Sequence, residues 1–268
     1  MKKALKILAV ALLLAATVVP AQAQRRVVHY LPKYEQEPYH FGFLIAFNEM
    51  MYTIKTVENY QNQPQSPDSW PITPWPQGMT QEETKNIYVY NIETQLTPGF
   101  TVGIIGSKRL GRYFDLRFIP SLSFSERRLD YTLILEGYDP TAEPELKQFT
   151  KPIFSTFVEF PLNIKYRSKR YNNIGAYIMG GFNPKIDLGS RKKNTIENGI
   201  VTKRFDFASE IGVGFDIYNQ WFKMGVEIKM SYGMLDILSH NSNDNALVYT
   251  SPIDKLSNKM FQLSLLIE

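Results

Sequence analysis

The sequence predicts an all-β protein, an eight-stranded antiparallel transmembrane β-barrel with long extracellular loops and short periplasmic turns. Three observations carry that expectation. Large apolar residues recur with period two along most of the chain. The connections between those runs are alternately long and short. Beyond the first residues, no apolar stretch reaches the roughly 18 residues that a spanning helix requires.

Lys2, Lys3 and Lys6 precede an apolar run over 7–19 and then Ala21-Gln22-Ala23, the order of a secretory signal peptide. Residues 1–23 are therefore expected to be a leader cleaved after Ala23, residues 24–38 a periplasmic N-terminal segment, and 39–268 the barrel. Taking the three leader lysines from 30 basic residues leaves 27 against 26 acidic ones, a net charge of about +1. Such balance gives no support to nucleic-acid binding, which needs a concentrated basic face. The chain has no cysteine, so disulfides, zinc thiolates and a lipid-modified cysteine are excluded.

The first strand is 41–47, where Phe41, Phe43, Ile45 and Phe47 share one face and Gly42, Leu44 and Ala46 the other. In the second, 100–105, Phe100, Val102 and Ile104 oppose Thr101, Gly103 and Ile105. The third, 113–124, sets Phe114, Leu116, Phe118, Leu122 and Phe124 against Asp115, Arg117, Ser121 and Ser123. Pro120 interrupts it and predicts a bulge, because proline cannot donate to a ladder. Runs at 154–166, 174–182, 205–217, 222–233 and 261–267 supply the remaining five. Long connections are expected at 49–97, 127–152, 183–204 and 235–257, and tight turns at 107–112, 167–173 and 219–220. The last residues read Leu265-Leu266-Ile267-Glu268, where bacterial barrels usually carry an aromatic.

Eight strands enclose room for side chains or one small ligand, so the aromatic face must look outward to lipid. Glu159, Lys165, Asp206, Glu210, Lys223, Glu227 and Lys229 are then interior, where opposite charges have to pair. Glycines at 103, 106, 180, 181, 212 and 214 do not open a strand-to-helix phosphate loop and are expected to relieve interior crowding.

Chemistry is sparse. His29, His40 and His240 have no metal-ligand spacing. His240 with Ser239, Ser242 and Asp244 is not a triad on proximity alone, since geometry defines one. No catalytic residue, cofactor or small-molecule substrate is expected. Pro64, Pro67, Trp70, Pro71, Pro74, Trp75 and Pro76 make a stiff segment. It is read either as a polyproline-like binding surface or as a loop whose Trp70 and Trp75 rest on the barrel rim at the aromatic belt. Lys108, Arg109, Arg112, Arg167, Lys169 and Arg170 form a basic rim on two turns, suited to lipid phosphates or to an acidic periplasmic partner. Charge reversal at Arg109 and Arg170 is expected to release such a partner without unfolding the barrel.

The chain resembles the PorT family, called SprT in gliding bacteria. The resemblance rests on His40-Phe41-Gly42-Phe43, Pro98-Gly99-Phe100, Arg117-Phe118-Ile119-Pro120 with Phe124, the run Phe157-Val158-Glu159-Phe160-Pro161-Leu162-Asn163-Ile164-Lys165-Tyr166, and Asp206-Phe207 leading to Gly212-Val213-Gly214. It spans most of the mature chain, although the Glu-Phe-Pro-Leu stretch also occurs in a broader class of small barrels. It implies a non-catalytic outer-membrane component of the type IX secretion system, needed for export of proteases and adhesins and for gliding motility, with other secretion components as partners. An independent small barrel, an adhesin or a lipid-modifying enzyme, is the alternative.

Overall fold

The computed structural model describes residues 28–66, 68, 70, 80–137, 145–189, 200, 202–239 and 249–268. The leader, Trp75 and His240 lie outside the described residues. Among those described, eleven strand segments follow in chain order: β1 (Tyr39–Thr56), β2 (Thr84–Gln95), β3 (Thr97–Arg109), β4 (Phe114–Phe118), β5 (Ser121–Gly137), β6 (Glu145–Glu159), β7 (Leu162–Arg167), β8 (Ile174–Asp187), β9 (Phe205–Tyr218), β10 (Lys223–Gly233) and β11 (Ile253–Ile267).

Every pairing is antiparallel. β1 pairs with β3 and with β11. From β11 the ladder runs through β10, β9 and β8 to β7 and the end of β6. It continues through β4 and β5 back to β3. Around the belt the circuit returns to its starting strand and leaves no open edge there, whereas β2, above it, is paired with a strand on one side only, β5.

Two breaks are proline breaks, after Phe118 and after Glu159, and neither contains the expected bulge. Gly103 still faces Ser121 and Gly106 still faces Phe118, so no residue is inserted at Pro120. The same continuity holds at Pro161, where Glu159 faces Lys185 and Leu162 faces Phe182. Proline removes one donor while its carbonyl stays in use; Ile104 donates to the Pro120 carbonyl at 3.0 Å and Ile119 to that of Pro161 at 3.2 Å. Genuine register shifts lie instead in β2, opposite β5, and at the end of β1, between Lys55 and Thr56 opposite β11.

Outward residues form the apolar belt. Phe41, Phe43, Ile45 and Phe47 on β1 are exposed, as are Ile211, Val213 and Phe215 on β9 and Leu263, Leu265 and Ile267 on β11. On β10 the outward run over 224–232 is nine residues long, within the roughly 9–11 that a tilted strand needs to cross hydrocarbon.

Beyond the belt the pattern reverses. Past Phe124, β5 runs thirteen more residues to Gly137, roughly 43 Å of strand. There Leu129, Tyr131, Leu133 and Leu135 point inward and are fully buried, while Arg128 and Asp130 point out. With Ile87 and Val89 of β2, Ile153 of β6, and Ile237, Leu238 and Leu256 from the long connections and β11, they make an apolar core of the water-soluble kind.

This reversal corrects the expected loops. Much of 49–97 and 127–152 is strand, β8 reaches Asp187 and β11 begins at Ile253. The strand keeps its pleat while the apolar phase flips by one residue between Phe124 and Leu129, which read along the sequence looks like the end of a strand. The far edge of β2 is covered locally, with Gln65 bridging Ile87 through two 2.9 Å backbone bonds and Gln61 donating to the Tyr90 carbonyl at 2.7 Å.

Leu133→Ala should cost about 2–5 kcal/mol by opening a cavity in this core, whereas Thr132→Ala, facing the other way, should change stability by about 0.5 kcal/mol or less. Urea midpoints of the detergent-solubilised protein check both.

Candidate functional site

The lumen is filled by ion pairs arranged in layers. Nearest the short turns, Arg117 reaches Glu227 at 2.8 Å and Glu268 at 3.3 Å, Lys223 meets Glu268 at 2.6 Å, and Lys165 meets Asp216 at 2.6 Å. Tyr177 donates to Glu227 at 2.8 Å, and the Lys165 ammonium sits 3.6 Å from the Tyr177 ring centroid. Gly214 makes room for that ring, since a Cβ there would lie 2.5 Å from Cζ of Tyr177. In the next layer Lys229 pairs with Glu210 at 3.1 Å and Lys185 with Glu159 at 3.4 Å, while Asn183 donates to both carboxylates. Above them Arg127 is fully buried, with Tyr52 and Phe157 ring centroids at 4.6 and 4.9 Å. It donates to Asn258 and Ser155 and lies 3.6 Å from Asp187. The apolar core closes the stack at the long-loop end.

All seven residues assigned inward from the sequence are buried there. Sequence reasoning did not assign Arg117, Arg127, Lys185, Asp187, Asp216 and Glu268. Arg117 and Asp216 stood on the polar face of an expected strand and could have been taken with the rest. Arg127, Lys185 and Asp187 fell in segments expected to be loops.

At the short-turn end, residues 28–37 cross the mouth. Tyr34 enters it, stacked on His40 with centroids 4.0 Å apart, and donates to Glu268 at 3.0 Å. Burial, and then the neighbouring Glu268 carboxylate, pushes the Tyr34 phenol far above its usual range, so it remains a donor. Tyr218 donates to Glu35 at 3.2 Å, the Tyr30 amide donates to Asn173 at 3.0 Å, and Asn173 donates to the Val28 carbonyl at 2.8 Å. Leu31 adopts φ 48°, in a left-handed region that leucine seldom occupies.

The basic rim is divided. Lys108, Arg112 and Lys169 are exposed. Arg109, Arg167 and Arg170 hold the segment instead. Arg109 donates from Nε to Gly111 O at 3.1 Å and from Nη1 to Gln36 O at 3.1 Å. Arg170 donates from Nε to Asn172 O at 2.9 Å, from Nη1 to Leu31 O at 3.4 Å, and from Nη2 to Tyr30 O. Arg167 lies 3.6 Å from Asp115 and reaches Glu35 O at 3.5 Å. Ordering ten backbone residues costs about 10 kcal/mol at ~1 kcal/mol each. The segment's eight hydrogen bonds to the barrel, at about 1 kcal/mol apiece with a stacked ring, offset that to within a few kcal/mol.

Trp70 does not rest on a lipid-facing rim. It is 3 % exposed within the apolar core, its indole donates to Gln65 at 2.7 Å, and it packs edge-on against Tyr131, Phe149 and Tyr249. An indole whose one donor is satisfied locally is free to bury the rest of its surface. His29 is exposed and His40 is buried against Tyr34.

An apolar exterior around an ion-paired lumen, in a closed antiparallel ladder, defines the class of outer-membrane barrels. The chain belongs to the family described as outer membrane protein beta-barrel domain, whose profile matches residues 22–239. No curated protein matches the chain.

Arg117→Ala would leave Glu227 without its ion-pair partner and Glu268 with Lys223 alone, and should cost about 3–5 kcal/mol, read as a lower temperature for loss of the compact, fast-migrating band on a gel. Gly214→Ala should cost about 1–3 kcal/mol by displacing Tyr177, while Lys55→Ala, which breaks an exposed pair with Asp254, should leave the transition unmoved.

Proposed function

We propose that this protein is a non-catalytic outer-membrane component of the type IX secretion system, of the PorT/SprT kind, acting as a scaffold or accessory of the translocon. The observation that carries the scaffold reading is the lumen. It is packed with paired charges, with an apolar core above and Tyr34 below. Such a barrel offers surfaces rather than a passage. Resemblance to PorT/SprT over the motifs beginning at His40, Pro98, Arg117, Phe157 and Asp206 supports the secretion assignment.

In this reading the paired segments β2/β3, β4/β5 and β6/β7 count as three bent strands, which makes an eight-stranded barrel. The leader is cleaved after Ala23, the short turns face the periplasm and the long connections face outward. Contacts are then with outer-membrane lipid along the belt, and with other secretion components at the periplasmic rim or the outer head.

Deletion of the gene tests this. Type IX cargo, proteases and adhesins, should be retained in the cell and motility lost. Full release of cargo into the medium would reject the secretion role and leave an independent barrel, which activity against purified lipopolysaccharide would identify as a lipid-modifying enzyme.

A further inference from the structure

The two turn arginines share one construction. Nε of Arg109 is fixed on the carbonyl two residues ahead, Gly111, and Nε of Arg170 on the carbonyl two residues ahead, Asn172. In each the outer nitrogens are thereby turned toward residues 28–37, where they meet the carbonyls of Gln36, Leu31 and Tyr30. Arg170 is further oriented by lying 3.8 Å from the Tyr218 ring centroid and by donating to Asn173 at 2.8 Å. All of these orienting contacts are made to groups of the barrel, two of which, Asn173 and Tyr218, bond the segment as well. Were it to leave, both guanidinium groups would keep their aim.

What they hold at present is poorer than what they could hold. Neutral carbonyls satisfy only part of a guanidinium's preference, whose planar fork and fixed charge bind carboxylates more strongly. A carboxylate is already seated at this mouth, that of Glu35 on the Tyr218 hydroxyl at 3.2 Å. The segment has one short 3₁₀ turn, Tyr34–Gln36, with no buried residue, and Leu31 in an unfavourable conformation. It occupies the rim without being built into the wall.

We infer that residues 28–37 are an intramolecular mask over a docking site for an extended acidic peptide, formed by Arg109 and Arg170 with Tyr218 between the turn and the mouth. Displacing the segment frees both guanidinium forks together. Lys108, Arg112 and Lys169, exposed on the same two turns, attract such a peptide before the mask is displaced. The inference rests on the proposed reading of the short-turn end as a periplasmic docking face.

The test is anisotropy of a fluorescein-labelled hexaglutamate peptide with purified protein in a zwitterionic detergent. The variant lacking 28–37 should bind at least ten-fold more tightly than the intact chain, and Arg109→Ala with Arg170→Ala in that background should return binding to the intact level. Full-length Tyr34→Ala/Glu35→Ala should show the same gain, which covers failure of the deletion to fold. A synthetic 28–37 peptide should compete. Equal affinity of masked and unmasked proteins, or a gain that survives loss of both arginines, would overturn the inference. So would a gain toward phosphatidylglycerol vesicles with none toward the peptide, since the ligand would then be a lipid headgroup. Because isolated protein is used, failure here leaves the gene-deletion result to stand by itself.

Discussion

Arg117 lies within the barrel between Glu227 and Glu268, with 1 % of its side chain exposed, and most of the lumen can be traced outward from it. Glu268 also takes Lys223 and Tyr34, and Glu227 also takes Tyr177. A charge sealed in a narrow wall has no water in which to escape, so each must be met by an opposite charge at hydrogen-bond distance. Among the described residues the fully or nearly buried set contains seven basic and seven acidic residues besides Glu268, so the lattice is close to neutral. Neutrality is what lets so many ionised groups share one interior.

Two solvents then divide the molecule along its length. Where the wall faces hydrocarbon, apolar side chains point out and the lattice fills the inside. Beyond the belt, water surrounds the wall, and the same strands carry apolar side chains inward. Met50, Phe157 and Met260 form the small apolar layer at the changeover, with Arg127 against Phe157. The taller side, built from β2, β5 and β6, therefore projects as a head with a core of its own.

Both ends are closed by chain segments rather than by the wall. Trp70 from the first long connection enters the upper core, and Tyr34 from the N-terminal segment enters the lower mouth. The two plugs differ in kind. Trp70 is held by extensive apolar burial, while Tyr34 is held by a few polar contacts on a segment with little buried surface of its own. The lower closure is accordingly the weaker one.

From sequence alone, the antiparallel β class, the outward aromatic belt and the inward assignment of residues such as Glu159, Lys165 and Glu227 were legible, because period-two alternation maps directly onto the two faces of a strand. The tight turn at 167–173 was legible for the same reason, whereas the one expected at 107–112 begins only after Arg109, because β3 runs on to pair with β4. The reach of β5 and β6 was not, since the apolar phase flips where lipid gives way to water, and one chain cannot say which solvent lies outside. Nor could the sequence say that Arg109 and Arg170 close on the carbonyls of residues more than seventy positions away. Which charge meets which, and what covers the mouth, depend on strands and segments remote in sequence being brought around one closed wall, and only the tertiary structure decides that.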